Sequence, residues 1–376
     1  MSDKVVNRYY PDDVSPPGDT LLETIEERGI SQAELARRLG RPNKTVNEII
    51  QGKASITPET AIQLEHVLGV PAHFWSNRQL LYDQNVARVQ EAARLEGYHD
   101  WVRSFPVAAM VRCGWVERRE NAADQAAELL RFFGVASPSQ WEDISGRMVA
   151  NFRQSRTFAS QLEAVSCWLR QGELLASRLS LGTYEKDAFC ERLVSSIRSL
   201  SREAPEVFQR ELPALCAKVG VAVVFVPELP KARVSGATRW LSPDHALVQL
   251  SLRYNTDDQL WFTFFHEAGH IICHGKREIF LESPDAVDAG EEENEADEFA
   301  ASTLIPHDAL NSFLIGLPAD RYPSKTKIIL FAREIGIAPG IVVGRLQHDR
   351  LPTDNPIPFS HYNDLKRHLR WATDAD

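Results

Sequence analysis

Two histidines four residues apart, His266 and His270, with Glu267 directly after the first, sit in the apolar run Phe264-Phe265-His266-Glu267-Ala268-Gly269-His270. On an α-helix such positions lie one above the other on one face. Both imidazoles can therefore converge on one Zn²⁺ at roughly 2.0–2.1 Å and supply two corners of a tetrahedron. Glu267, one step round the helix, is poorly placed to ligate and well placed to act on a water at that metal. A ligand pair with an adjacent general base is what metal-assisted hydrolysis requires. His274 continues the same face one turn beyond His270. It stands about 6 Å farther along the axis, which favours packing or support of a ligand over ligation itself. A third ligand must come from elsewhere. Residues 290–301 are acidic and then abruptly apolar, and Glu292, Glu293 and Glu295 are all available there. The same run also suits a helix start, where negative charge meets the positive end of the macrodipole.

HEAGH followed some twenty-odd residues later by Glu293-Asn294-Glu295-Ala296-Asp297-Glu298-Phe299-Ala300-Ala301, and then by Leu304 and Pro306, resembles the ImmA/IrrE metallo-endopeptidases. The resemblance spans roughly residues 212–350. It implies a gluzincin-like zinc site with Glu293 as third ligand and Asp297 as the group that orients a ligand histidine, with Glu295 the second choice. It also implies hydrolysis of a peptide bond by a zinc-activated water, with Glu267 moving the proton. The expected substrate is a specific repressor- or antitoxin-type regulator acting in a stress response. The alternative is a non-catalytic, antitoxin-like transcription regulator whose metal site is structural or sensing. Tyr254, Arg253 and His245 are the candidates for a second group on the oxyanion.

The N-terminal part carries a different chemistry. Ser31 with Glu34 three residues on forms a capping box, Gly40 stops that helix, and Asn43–Ile50 continues as a second short helix ended by Gly52. Two short helices joined by a tight, Gly-containing turn follow the helix-turn-helix plan. The stretch SQAELARRLGRPNKTVNEIIQGKASITPETAIQLEHVLGVPAHFW resembles the XRE (Cro-like) domains, closest to the HigA-antitoxin branch, over residues 18–83. Ala36 lets the helices approach, with Leu35, Leu39, Val46 and Ile49 as the small core. Asn43, Lys44, Thr45, Asn47 and Glu48 are then expected near base edges of double-stranded DNA. Gln32, Arg37, Arg38, Arg41 and Lys53 are the phosphate candidates. A single module of this size binds weakly, so a homodimer on a two-fold site is expected.

Composition bounds the rest. The formal net charge of −10 over 376 residues excludes a generic polyanion binder, so any nucleic-acid surface is local. Five cysteines without C-x-x-C spacing argue for reduced thiols in a cytoplasmic protein. No signal peptide and no run of ~20 apolar residues is present, so no membrane partner is expected.

The fold expected is mainly α with a small α+β part. It comprises a tail (1–17), a helix-turn-helix bundle (18–83), a helical connector or partner region (84–210), a metallopeptidase domain (211–350) and a C-terminal tail (351–376). Three strand-like runs, Val219–Val226, Gly236–Trp240 and Ala246–Leu252, lead into the histidine helix. Val234–Trp240 is the expected edge strand for an extended substrate.

Overall fold

The computed structural model describes residues 14–151, 161–274, 279–282, 290–317, 322–353 and 355–371. Most of the expected N-terminal tail lies outside the described residues. The chain divides into two compact units, Met1–Tyr98 with Ala122–Asp124, and His99–Asn121 with Gln125–Asp376.

The first unit is a bundle of short helices: α1 (Pro17–Glu27), α2 (Gln32–Leu39), α3 (Asn43–Ile50) and α4 (Pro58–Leu68), followed by the long α5 (Ala72–Glu96). Ser31 caps α2 by accepting from the Glu34 backbone amide, and Gly40 ends it at φ 65°, a left-handed turn that glycine adopts without steric cost. Leu35, Ala36, Leu39, Val46 and Ile49 are buried together, as their spacing predicts, and Trp75 from α5 completes this core. The expected limit at residue 83 falls inside α5, which runs unbroken to Glu96.

The second unit is built on a four-stranded sheet of order β1-β3-β2-β4. β1 (Val221–Phe225) runs parallel to β3 (His245–Leu250), which is antiparallel to β2 (Gly236–Ser242), itself antiparallel to β4 (Ile279–Glu282). β1 reads as a continuous apolar run because both faces are covered. Val221, Val223, Ala246 and Val248 join a core with the histidine helix (Asp257–Cys273) and the helix Pro205–Ala217. Ala222, Val224, Ala237 and Leu247 join a second core with the helix Leu162–Ala176. That helix lies close over β3: a Cβ on Gly172 would collide with the Gln249 side chain, and Gln249 Nε2 donates to the Trp168 carbonyl at 2.6 Å. Part of the region expected as a connector thus forms the second layer on the sheet.

Two expectations need correction. β2 is not an edge strand: its Gly236–Arg239 segment pairs with β3 on one side and with β4 on the other. β4 is only four residues long, between two helices, too short to leave a period-2 pattern. The C-terminal segment is also more than a tail. Arg367 and Asp257 exchange backbone contacts, the Asp257 amide donating to the Arg367 carbonyl and the Arg367 amide to Asp257 Oδ1, each at 2.9 Å. Leu369 is buried beside this bridge, and Lys366 Nζ lies 2.7 Å from Asp258 Oδ2. The strap therefore closes over the N-terminus of the histidine helix.

Candidate metal centre and nucleic-acid interface

The histidine helix is buried along nearly its whole length, from Asp257 to Ile272. Trp261, Phe264, Phe265 and Ala268 point into the core, which turns the remaining face, with His266 and His270, towards the acidic helix Glu291–Leu304. Small residues bring these two helices together. A Cβ on Gly269 would lie 3.1 Å from the Ala296 Cα and 3.2 Å from the Phe299 ring. Ala296 and Ala300 are themselves fully buried. The glycine within HEAGH thus permits the approach that brings the start of the acidic helix over the histidines.

The three donors meet there. His266 Nε2 and His270 Nε2 are 3.0 Å apart, and Glu293 Oε2 lies 3.2 Å from the first and 3.7 Å from the second. Donors about 2.0–2.1 Å from one tetrahedral centre are separated by roughly 3.3–3.4 Å. The observed edges bracket that length, so two imidazoles and a carboxylate fit a divalent ion of zinc's size and preference. His266, His270 and Glu293 are the group that could hold a metal among the described residues. Burial depresses the His270 pKa against the opposing pull of Glu293, which favours the neutral ring that a metal would need. Burial opposes ionisation of Glu293, but the two imidazoles beside it outweigh burial and bring its carboxyl down to about 2.

The other expected residues fall around this cluster. Asp297 Oδ1 lies 2.8 Å from His266 Nδ1. Glu295, the competing ligand, is directed to His274 Nε2 at 3.3 Å rather than to the paired Nε2 atoms. Glu267 is fully buried, and its carboxylate faces β2: a Cβ on Gly236 would come within 2.5 Å of Oε1. Thr238 on the same strand donates to the Glu267 carbonyl at 3.1 Å and ties the helix to the sheet. No positional rule in the sequence marked Gly236; its signal was a glycine opening a strand, which often means close approach of another group.

A cavity of about 860 Å³ opens beside His266 and Glu293. Phe262, Leu304, Ile305 and Ile341 form its apolar wall. Of the three oxyanion candidates, Tyr254 lines this cavity, Arg253 stacks on the Tyr254 ring at 5.4 Å, and His245 opens β3.

In the first unit, Asn43, Lys44 and Asn47 are exposed on α3, while Thr45 and Glu48 are half-buried. Lys44 Nζ sits 3.8 Å from Glu48 and Asn47 accepts from Gln51 Nε2 at 3.2 Å, both loose surface contacts. Arg41 is more committed: it donates to Gln63 at 2.7 Å and pairs with Glu59 at 3.5 Å, both on α4. Glu34 holds Arg37 and Arg38 at 2.7 Å each, while Gln32 is half-buried at the start of α2. Among the described residues no helix is long and apolar enough to cross a membrane.

Comparison with known proteins matches both units. The helix-turn-helix family model covers residues 21–75 and the IrrE N-terminal-like domain covers residues 216–322. The uncharacterized HTH-type transcriptional regulator YddM of Escherichia coli (strain K12) is 38% identical over 63 residues, 17% of this chain and 67% of its own. Virulence-associated protein I of Dichelobacter nodosus is 35% identical over 72 residues, 19% of this chain and 67% of its own. The solved Pseudomonas aeruginosa antitoxin HigA with higBA promoter is 32% identical, covering 23% of this chain and 94% of its own at a TM-score of 0.22. By the two family models and the likeness to YddM, the chain belongs to the helix-turn-helix regulators of the XRE type and carries, in its C-terminal unit, a domain of the IrrE N-terminal-like peptidase family.

Proposed function

We propose that the protein is a cytoplasmic, DNA-binding zinc endopeptidase that cuts one specific regulator of the repressor or antitoxin type. The observation that carries this reading is the meeting of one nitrogen each from His266 and His270 with a Glu293 oxygen, all within 4.8 Å of one another, beside a buried Glu267. When bound there, zinc supplies a Lewis acid that polarises a peptide carbonyl and acidifies water. The chain's own residues do the rest. Glu267 accepts a proton from the attacking water and passes it to the nitrogen of the breaking amide bond. Asp297 fixes the ring of His266 through Nδ1, so that Nε2 keeps its lone pair free. The apolar wall of Phe262, Leu304, Ile305 and Ile341 holds a hydrophobic side chain of the substrate and excludes water around the scissile bond. A buried base has no use in a purely structural site, which favours catalysis over the non-catalytic regulator.

The first unit brings this chemistry to double-stranded DNA. Asn43, Lys44 and Asn47 on α3 reach base edges in the major groove, with a homodimer spanning two half-sites. Incubating zinc-loaded protein with candidate regulators, beside a Glu267→Gln variant, tests the proposal. Cleavage by the wild type that disappears in the variant supports it. Full zinc occupancy and operator binding without cleavage of any candidate favour the non-catalytic regulator.

A further inference from the structure

Both candidate ligand rings are engaged at their second nitrogen, but in different ways. His266 Nδ1 meets a carboxylate directly, Asp297 Oδ1 at 2.8 Å. His270 Nδ1 meets another imidazole, His274 Nδ1 at 3.0 Å. The His274 side chain is only 5% exposed, and its Nε2 lies 3.3 Å from Glu295 Oε2.

We propose that His274 and Glu295 form a two-step hydrogen-bond relay that positions His270 as a ligand, the counterpart of Asp297 on His266. The inference rests on the metal reading of His266, His270 and Glu293. Its logic is tautomeric. A contact between two neutral imidazole nitrogens needs one proton and one lone pair. His270 has to present the lone pair of Nε2 to the ion, so its proton sits on Nδ1 and is donated to His274. His274 Nδ1 accepts, which leaves the proton of that ring on Nε2, facing the Glu295 carboxylate. Glu295 therefore selects the tautomer of His274, and His274 selects that of His270. The negative charge at the end of the chain also raises the basicity of the ligating nitrogen, as a carboxylate behind a ligand histidine does.

The same geometry says why His274 is not itself a ligand. Its Nδ1 faces the Nδ1 side of His270, away from the point where the two Nε2 atoms and Glu293 meet. It also gives Glu295 a task separate from that of Glu293, although both stand in the first two turns of the acidic helix. The exposed carboxylate at 295 reaches the site through the intervening ring.

The experiment is zinc affinity of the full chain, measured by competition with a chromogenic chelator, with the visible spectrum of the Co²⁺ form as a second readout. The variants are His274→Phe, which keeps a ring in the packing, Glu295→Ala, which removes the terminal acceptor at an exposed position, and Glu295→Gln, which keeps a neutral acceptor. Expected are a fall in affinity of roughly 10- to 100-fold for His274→Phe and about 10-fold for Glu295→Ala, with Glu295→Gln between Glu295→Ala and wild type. The cobalt bands shift in the same order. Affinities within about twofold of wild type for His274→Phe and Glu295→Ala overturn the relay alone. A loss confined to His274→Phe also overturns it, since the ring then acts without Glu295. Wild-type protein that binds neither Zn²⁺ nor Co²⁺ overturns the metal reading beneath it.

Discussion

The Cα of Gly236 faces the carboxylate of Glu267 so closely that a methyl group there would come within 2.5 Å of Oε1 and 2.6 Å of Thr263 Cγ2. β2 thus makes room for the proposed base by having nothing where a side chain would stand. Glu267 is fully buried and cannot move aside into solvent. Gly236→Ala is therefore expected to displace the carboxylate while leaving the ligand nitrogens in place. The cleavage rate should fall by about tenfold or more, as small misplacements of a catalytic group do. Zinc affinity should stay within about twofold, because position 236 touches no ligand. Rate assays beside chelator competition check both parts.

Gly269 makes the opposite trade. Its absent side chain lets the histidine and acidic helices approach, with Ala296 and Phe299 as the first atoms a Cβ would meet. Gly269→Val should force the helices apart and carry Glu293 away from the imidazoles. Overpacking of this kind costs about 1–3 kcal/mol. The expected result is lower stability in chemical denaturation together with weakened zinc binding, where Gly236→Ala weakens only the rate.

The C-terminal strap offers a test of stability. Asp258 is 4% exposed and its carboxylate meets Lys366 at 2.7 Å. Lys366→Met strands a buried charge and should destabilise the second unit by about 3 kcal/mol. Removing both partners in Asp258→Ala with Lys366→Met should recover much of that loss. Denaturant titration of the two variants distinguishes a paired buried charge from simple loss of packing.

What the sequence made legible were features whose causes are local. The i, i+4 histidines, the Ser31 N-cap and the glycine stop at position 40 each act within one or two turns and appear as read. Only half of the expected capping box forms: Ser31 accepts from the Glu34 amide, but the Glu34 carboxylate turns to Arg37 and Arg38. The small core of the helix-turn-helix, Leu35, Ala36, Leu39, Val46 and Ile49, is named beside the family resemblance and is buried as expected. Resemblance, rather than spacing, singled out Glu293 from its acidic neighbours. What stayed hidden depends on partners far apart in the chain. Asp257 meets Arg367 across 110 residues, and Gln249 meets Trp168 across 81. β4 is four residues long and carries too little pattern to be recognised, so β2 looked like an edge. His274 and Glu295 were both noticed separately, but only the crossing of two helices joins them.

The first unit yields a prediction on nucleic acid. Lys44 is exposed on α3 and held only loosely by Glu48. Lys44→Ala should weaken binding to an operator selected from random duplexes by about tenfold, the range of one good base contact. Wild-type affinity should fall steeply between about 50 and 200 mM salt as counterions are released. Fluorescence anisotropy at several salt concentrations checks both. Affinity indifferent to salt and to Lys44 would remove the DNA-reading assignment from α3.

The central claim is that His266, His270 and Glu293 together hold one divalent ion. Its most direct measurement is zinc content and affinity of the purified 376-residue chain, compared with Glu293→Ala and His266→Ala. The account predicts close to one zinc per wild-type chain and loss of tight binding in both variants. Tight binding that survives Glu293→Ala, or wild-type protein that takes up no zinc after exposure to excess metal, contradicts it.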